Sequence, residues 1–597
     1  MSELIAAALA ELGVRRMLLA IHDVSFPADP DEDIGRGSPS TRAAQRFLEF
    51  AKDLGFTGIQ LGPQGQTSRD NPSPYDGTIF SRHVATIALG SFAPGGPYEG
   101  LVDGRTVEAA RLREPAATAQ HRHAYDAIHA LIEAADRALA AGRRPDITER
   151  LAAFRAEHRS WLEPDALFAA ICAEQRGRSF RDWPDELGHL WDDAAHASQV
   201  GELLATHAPS IRRYALGQLF AHEEHARVRA TTERLGLALY GDFQVGYSEA
   251  DKWVHARAFL RNYAMGAPPS RTNPDGQPWN YPVLDPDQLT GAARALVVAR
   301  VDKALAEYDS LRIDHPHGLV CPWVYRADTD DAARAVREGA RLFESPDLPD
   351  HPALARFAIA RADQIDRGAA RHADRWVRAL DDAQVTRYAV LFEALAEAAA
   401  RHGRARADLS CEVLSTLPLP LQRVIERYGL GRWRVTQKAN LADPTDVYRS
   451  ENARREDWVM LGNHDTSPVF ALIRGWTDER RRAWVAHLAH RLRLSRDAAA
   501  ALATSPGRLA SAMLAELFVC DAENVSIFFA DLFGLEDRFN APGTVSEDNW
   551  SLRLPPDFDA RYAQGRARGD VLDLRLALAL ALEARGSTSG LAAALRA

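Results

Sequence analysis

The feature that most constrains the fold is a set of eight short apolar or β-branched runs, separated in most places by alanine- and arginine-rich helical stretches. Polar or turn residues end each run, as is typical of a buried strand. Alternation of strands and helices favours parallel βα units, and eight units predict an α/β fold of the closed (β/α)8 TIM barrel type. The runs are RRMLLAIHDVSF (15–26), FTGIQLGP (56–63), LGLALYGDFQV (235–245), YDSLRID (308–314), ADLSCEVL (407–414), GRWRVTQK (431–438), DWVMLGNHD (457–465) and NVSIFFADL (524–532).

The chain is longer than a plain barrel needs. Its 597 residues exceed the roughly 250 that are typical of this fold. Amphipathic helical patterns account for the excess and predict a helical insertion lobe at 105–235 and a second helical insertion at 330–405. No low-complexity linker or separate terminal domain is evident, so residues 1–597 are interpreted as a single catalytic domain.

Composition excludes several other classes of protein. The formal net charge of −10 gives no general basic surface for a nucleic-acid partner. No stretch is long and apolar enough to span a bilayer, so no membrane partner is expected. The four cysteines are widely scattered and favour a reducing, cytoplasmic location. The sequence does not predict an oligomeric state.

Three carboxylates follow predicted strands. Asp314 ends the fourth strand, Glu412 the fifth and Asp465 the seventh. Barrel enzymes carry their chemistry at the carboxyl ends of the strands, so these side chains should meet at one rim. A retaining glycosidase or transglycosylase needs one carboxylate as nucleophile and a second as acid and base. Arg312, two residues before Asp314 and on the same strand face, could keep that carboxylate ionised.

Each residue alone also has an ordinary structural explanation. An aspartate at a strand end commonly caps a turn or helix, and Glu412 could form a plain buried ion pair. A metal-dependent hydrolase is a competing hypothesis, since nitrogen and oxygen ligands occur close together in the sequence. However, they form no tight set of three or four, and we predict neither a metal nor a cofactor. The candidate ligands are Asp314, His315, His317, His464 and Asp465.

The histidines of the predicted helical lobe give less information about function. His121, His123 and His129 are expected to be solvated side chains.

Several motifs together resemble a known family. The chain is similar to the 4-alpha-glucanotransferases of glycoside hydrolase family 77, the amylomaltase or disproportionating-enzyme group within the α-amylase superfamily. The resemblance extends over nearly the whole chain outside the inserted lobes. It is carried by LLAIHDVSF, LGPQGQTSRDNPSPYDG, YGDFQVGYSEADKW, GAPPSRTNPDGQPWNYP, SLRIDHPHG, SCEVLS, LGNHDTSP and FGLEDRFNAPGTVSEDNWSLRLP.

The resemblance implies a (β/α)8 barrel and roles for particular residues. Asp314 matches the family's nucleophile, Glu412 its acid/base and Asp465 its transition-state stabiliser. Positions matched to substrate binding or support are Arg312, His464, Tyr75, Asp242, Trp279, Asn463 and His315. The implied substrates are maltooligosaccharides or other α-1,4-glucans. Asn549, Trp550 and Arg553 match a family signature whose role could be structural.

Three departures from the family pattern concern the acceptor. Val413 follows the acid/base where the family has an aspartate, Ser270 and Arg271 stand where it has a loop tyrosine, and the second strand continues as IQLGPQGQ. We expect the loop change to weaken the use of long glucans and to widen acceptor tolerance. An α-glucoside hydrolase or a transferase for an unusual acceptor is the nearest alternative activity. A non-catalytic glucan-binding protein is the alternative from another class.

Overall fold

The predicted barrel strands are all present in one sheet. The computed structural model describes residues 2–192, 194–270, 273–544 and 546–597. Eight strands pair in parallel in the order β10-β11-β12-β1-β2-β3-β6-β9. The strands, numbered along the chain, are β1 (Arg16–Ile21), β2 (Gly58–Leu61), β3 (Ala238–Phe243), β4 (Phe259–Ala267), β5 (Gln277–Leu284), β6 (Ser310–Ile313), β7 (Trp323–Arg326), β8 (Ala340–Arg341), β9 (Leu409–Cys411), β10 (Trp433–Val435), β11 (Trp458–Met460) and β12 (Asn524–Phe528).

The two ends of this sheet meet and nearly close the barrel. No strand ladder joins β9 to β10 in the described part of the chain, but the Trp433 amide donates to the Val413 carbonyl at 3.2 Å. The fold is therefore a (β/α)8 TIM barrel, and that prediction is confirmed.

Alternation along the strands separates the barrel interior from the surrounding helices. On β1, Met17 and Leu19 face outward into the large core shared with the helices, whereas Leu18 faces inward. The interior contains the side chains of Tyr240, Trp433 and Trp458, among others. The Trp433 and Trp458 rings stack with 5.5 Å between their centroids. The interior is thus filled below the rim that carries the polar residues.

Helices surround the barrel and build the insertions. The described helices of eight residues or more are Ser2–Leu12, Arg42–Asp53, His121–Ala140, Pro145–Glu157, Arg159–Glu174, Ala197–Thr206, Ala208–Leu235, Ala292–Glu307, Val390–Arg401, Leu419–Tyr428, Asp478–Arg491, Arg496–Thr504, Pro506–Phe518, Phe558–Arg568 and Leu574–Ala584. Ala208–Leu235 ends at Gly236, which adopts a left-handed φ of 65°. A glycine is favoured there because a β-carbon strains that conformation.

The region 105–235 contains a succession of helices, whereas the region 330–405 is less helical than expected. It holds helices at Ala332–Arg337, Pro352–Ala355, Asp382–Tyr388 and Val390–Arg401, with the short strand β8 and irregular chain between them. The proposed boundaries of both insertions stay a prediction.

The lobe histidines differ from expectation. His121, His123 and His129 are half-buried, and His121 Nε2 lies 3.0 Å from the Trp550 carbonyl. Burial lowers the pKa of His121 to about 4, so the expectation of solvated side chains was wrong.

A second, antiparallel sheet was not predicted. It has the order β5-β4-β7-β8, and residues 268–276 connect β4 to β5. Its sequences, FLRNYAMGA and QPWNYPVL, lack a clean alternation and include a proline, so the strand pattern is weak. This sheet carries Trp279 to the barrel rim.

Among the described residues, no helix is long and apolar enough to cross a membrane. All four cysteines are free thiols.

Candidate active site

Arg312 lies at the centre of the polar residues on the carboxyl rim. It is on β6 and faces inward, with 2% of its side chain exposed. Its guanidinium contacts three carboxylates from three adjacent strand ends. Nη1 lies 2.6 Å from Asp242, and Nη2 lies 3.3 Å from Asp314 and 2.5 Å from Glu412. The parallel register explains the convergence, since Arg312 pairs with Asp242 on one side and Ser410 on the other.

The backbone holds Asp314 and Glu412 beside each other. The Asp314 amide donates to Phe243 at 3.0 Å and the Glu412 amide donates to Ile313 at 2.9 Å, which extends the strand pairing past each strand end. Asp314 also accepts from the Val245 amide at 3.3 Å. The two carboxyl groups offer oxygens within 4.8 Å of each other. Two carboxyl groups this close are typical of retaining glycosidases, whereas inverting enzymes hold theirs farther apart.

Asp465 is positioned by a tight turn after β11. Its amide donates to Asn463 Oδ1 at 3.1 Å, and the Asn463 amide donates to Thr466 Oγ1 at 2.9 Å. Gly462 is required before this turn, because a β-carbon there would lie 2.5 Å from Thr466 Oγ1. Asn463 Nδ2 also lies 3.5 Å from Glu412 Oε1, which links the turn to the acid pair.

Tyr75 and His464 form an aromatic wall beside the carboxylates. The Tyr75 hydroxyl donates to Asp242 at 3.0 Å, and its ring stacks on His464 with centroids 5.3 Å apart. His464 Nε2 lies 3.5 Å from Asp465. All ten residues proposed from the sequence lie either in this cluster of polar and aromatic side chains at the rim or along the groove beside it.

That groove has a volume of about 800 Å³ and borders the catalytic rim. Trp279 of β5 forms one side, where its ring stacks on His315 with centroids 5.0 Å apart. Asn463 and Asp465 line the same groove. Aromatic faces and carboxylates together suit the apolar faces and hydroxyls of sugar rings.

Charge on the acid pair is set by burial and by Arg312. Burial raises the pKa of Asp314 well above its usual value, and the neighbouring Glu412 and Asp242 add to this effect against Arg312. Burial also acts to raise the pKa of Glu412, but Arg312 and His315 outweigh it and lower that pKa to about 2. Two buried carboxyl groups this close disfavour a double negative charge, so the free Asp314–Glu412 pair favours the singly protonated state.

The competing metal hypothesis can be tested against this geometry. Asp314, His315 and Glu412 offer ligand atoms within 4.8 Å of one another. However, the Arg312 guanidinium already contacts both carboxylates, and a divalent cation among them would meet its positive charge at close range. The residues do not fit a metal well, and the absence of a metal requirement stays a prediction.

Two residues at the rim were not assigned from the sequence. Asn540 Nδ2 donates to Asp465 Oδ1 at 2.6 Å and so orients that carboxylate. The FNAPGT motif contains Asn540 and could have indicated it. His22 follows β1 and packs against His464 and Phe539, with ring centroids 5.2 and 4.7 Å away. Gly62 makes room for its ring, since a β-carbon there would lie 2.1 Å from it.

The departures from the family pattern have different structural settings. Val413 is fully buried in the main core, so an apolar contact occupies the position after Glu412. Ser270 lines the groove. Arg271 lies outside the described residues, so its expected effect on acceptor choice stays a prediction.

Carboxylates gathered around one arginine at the rim of a parallel barrel, next to a groove with an aromatic wall, are typical of barrel enzymes that act on glycosidic bonds. A family model described as 4-alpha-glucanotransferase, glycoside hydrolase family 77, matches residues 24–559. The chain belongs to this family, and the resemblance inferred from its motifs is confirmed.

Named relatives agree with this assignment. The chain is 25% identical to the chloroplastic/amyloplastic 4-alpha-glucanotransferase of Solanum tuberosum over 584 residues, 94% of this chain and 86% of that protein. It is 28% identical to the 4-alpha-glucanotransferase of Thermus thermophilus over 321 residues, 51% of this chain and 60% of that protein.

Solved structures share the fold. The amylomaltase from Streptococcus agalactiae in complex with acarbose matches with a TM-score of 0.71 and 17% identity, over 92% of this chain and 97% of that one. The amylomaltase from Corynebacterium glutamicum matches with a TM-score of 0.64 and 16% identity, over 95% of this chain and 76% of that one.

Proposed function

We propose that the protein is a retaining 4-alpha-glucanotransferase that moves α-1,4-glucan segments from a donor maltooligosaccharide to the 4-hydroxyl of an acceptor sugar. The observation that carries the proposal is the contact of one buried arginine, Arg312, with both Asp314 and Glu412, whose oxygens lie within 4.8 Å. The family assignment supports the reaction, and the four free cysteines support a cytoplasmic location.

In the first half of the reaction, Asp314 attacks the anomeric carbon while Glu412 protonates the leaving oxygen. This step requires an ionised Asp314 and a protonated Glu412, so any proton on Asp314 must exchange to Glu412 before the attack. Arg312 can support this exchange because it contacts both carboxylates. A shift of the guanidinium from Glu412 towards Asp314 would stabilise the ionised nucleophile and the protonated acid together.

In the second half, Glu412 removes the proton from the acceptor 4-hydroxyl, whose oxygen displaces Asp314 from the anomeric carbon. Asp465, held by Asn540 and Asn463, is placed to stabilise positive charge on the sugar ring during both steps. Trp279 and Tyr75 are proposed to contact the glucan.

The reaction type can be tested with maltotriose as the sole substrate. A ladder of longer oligosaccharides with free glucose is the expected result, because each transfer lengthens an acceptor and shortens a donor. Maltose and glucose without a ladder would indicate a hydrolase, and unchanged maltotriose would favour a non-catalytic glucan-binding protein.

Activity should also survive a strong chelator. A loss of activity that zinc or manganese restores would favour the metal hypothesis.

The roles of the two carboxylates can be tested by trapping with a glycosyl fluoride. Glu412→Gln should still form a covalent glycosyl-enzyme, since fluoride needs little protonation to leave, whereas Asp314→Asn should not. Intact-protein mass spectrometry with peptide mapping locates the adduct, and Asp465→Asn serves as the control with Asp314 intact. An adduct on Asp314→Asn, or one attached to Asp465, would show that the nucleophile is wrongly assigned.

A further inference from the structure

Three cationic side chains line the groove. Lys438 ends the short helical turn after β10, Arg480 belongs to helix Asp478–Arg491, and Arg538 lies in the chain that follows β12. Separate segments of the sequence therefore bring three positive charges to one cavity.

These cations differ from most arginines of the protein in having no acidic partner. Among the described residues, no carboxylate oxygen lies within the 4.0 Å ion-pair distance of Lys438, Arg480 or Arg538. Lys438 is half-buried, whereas Arg480 and Arg538 are exposed, and the Arg480 guanidinium lies over the Trp476 ring. Arg341, which lines the same groove, instead donates to the backbone carbonyls of Ala373 and His372. The three cations therefore face a space in which an anionic ligand can supply the missing counter-charge.

Lys438 lines the groove together with Asn463 and Asp465. The charges that act most strongly on it are those of Asp465, Glu412 and Arg538. In a retaining transferase, the leaving oxygen and the acceptor hydroxyl both exchange their proton with the acid/base, so both occupy the side next to Glu412. A group on the acceptor sugar can therefore reach Lys438.

Resting on the proposed function, we propose that the acceptor is a glucose unit that carries a phosphate ester, whose dianion is bound by Lys438, Arg480 and Arg538. Two guanidinium forks and an ammonium supply several charge-assisted donors, which match the oxygens of a phosphate. A neutral sugar would give these three cations no counter-ion.

A phosphate on the acceptor does not change which bonds break and form in the transfer. The bond between the anomeric carbon and the Asp314 oxygen breaks, and a bond forms between that carbon and the acceptor O4. The proton of the 4-hydroxyl passes to Glu412, and the phosphate ester stays intact. The product is a maltooligosaccharide with a phosphorylated unit at its acceptor end.

The proposal is tested with maltotriose as donor and three acceptors in separate arms: glucose, glucose 6-phosphate and glucose 1-phosphate, all of which have a free 4-hydroxyl. We expect kcat/KM for at least one phosphorylated acceptor to exceed that for glucose by about tenfold, as charge-assisted hydrogen bonds to the phosphate allow. Mass spectrometry identifies the products. Whichever of glucose 6-phosphate and glucose 1-phosphate is the better acceptor shows which carbon of the bound sugar lies next to the cations. The preference should fall as salt is raised from about 0.05 to 0.5 M, because salt screens these charges.

Substitutions test whether the three cations cause the preference for a phosphorylated acceptor. Lys438→Gln and Arg538→Gln should each lower the ratio of kcat/KM for the phosphorylated acceptor to that for glucose by about fivefold or more, and Lys438→Arg should largely keep it. Arg482→Gln is the matched control: Arg482 is exposed on the same helix as Arg480 but does not line the groove, so the ratio should not change.

Three results would overturn the inference. Transfer to glucose without any preference for a phosphorylated acceptor would reject it while leaving the proposed function intact. A preference that Lys438→Gln and Arg538→Gln do not reduce would place the phosphate elsewhere. Failure of transfer in every arm would reject the proposed function, and this inference would fail with it.

Discussion

Arg312 is the residue on which the charge balance of the site depends. Its guanidinium is buried and contacts Asp242, Asp314 and Glu412, so three acidic groups share one cation. Removing a partner from a buried ion pair leaves an uncompensated charge, which costs far more than a surface pair contributes. Single substitutions in this cluster should therefore change the protonation of the remaining acids as well as their positions.

Another buried acid, Asp531, lies behind the turn that carries Asp465. Its Oδ1 accepts from the Val469 amide at 2.7 Å, whereas Oδ2 has no hydrogen-bond partner among the described residues. Burial raises its pKa to about 7. Since this value exceeds that of an unfolded aspartate, about 4, Asp531 contributes stability that is complete below about pH 4 and is lost as the pH rises through about 7.

Asp531→Asn should remove this pH dependence, because an amide accepts the same hydrogen bond without ionising. We expect the unfolding free energy of the variant, relative to the wild type, to rise by about 2 kcal/mol between pH 5 and pH 8. Urea unfolding at several pH values measures it. Asp537→Asn, at an exposed site on the following segment, is the control. A difference between Asp531→Asn and wild type that stays constant with pH would contradict the assigned protonation.

At the scale of elements, the inserted helices fix the loop that carries Tyr75. Helix Ala208–Leu235 presents the fully buried Gln218, whose Oε1 accepts from the Arg82 amide at 2.7 Å and whose Nε2 donates to the Arg82 carbonyl at 2.8 Å. Asp165 of helix Arg159–Glu174 accepts from Ser81 Oγ at 2.6 Å. A segment without regular structure is thus positioned through side chains of distant helices.

Gln218→Ala should loosen this loop, because it leaves the amide and the carbonyl of Arg82 unpaired in the interior. We expect a loss of about 2–4 kcal/mol in unfolding free energy and a severalfold higher KM for maltotriose through Tyr75. Gln218→Glu keeps the acceptor but must be protonated to donate to the Arg82 carbonyl, so the stability of this variant should fall as the pH rises. Urea unfolding and initial rates measure both quantities. A large loss of stability with an unchanged KM would show that the helix does not position Tyr75.

At the scale of the whole molecule, the barrel and the inner part of the lobe share one core. Phe47 and Val301 of barrel helices belong to the same buried cluster as Ile128 and Trp161 of the lobe. Farther out, Trp183 and its neighbours form a separate cluster. Burial of a continuous apolar core makes its parts unfold together, whereas a separate cluster can open by itself.

We therefore expect Trp161 and the barrel residue Trp458 to unfold at the same urea concentration. Fluorine NMR of protein labelled with 5-fluorotryptophan follows each site, and Trp161→Phe and Trp458→Phe spectra identify the two signals. The Trp183 signal, assigned in the same way, reports on the outer cluster. Loss of the native Trp161 signal well before that of Trp458 would show that the lobe unfolds independently of the barrel.

The sequence by itself determined the barrel strands and which candidate site residues lie at the rim. Each of the eight strands is a short apolar run with a clear end, and its period of two selects the inward side chains, so the pattern along the chain is enough to assign Arg312, Asp314 and Glu412 to the rim. The motifs around Asp314 and Asp465 added the family. These features are local in the chain, and a pattern along the sequence records them.

Contacts between distant segments were decided only by the tertiary structure. The antiparallel sheet around Trp279 has weak strand patterns and forms because β4 pairs with both β5 and β7. Asn540 reaches Asp465 across 75 residues, and Lys438, Arg480 and Arg538 line one groove only once the barrel is closed. The raised pKa of Asp314 and the lowered pKa of Glu412 depend on burial and on where Arg312 lies. Desolvation and charge act through space, so the order of residues along the chain does not reveal them.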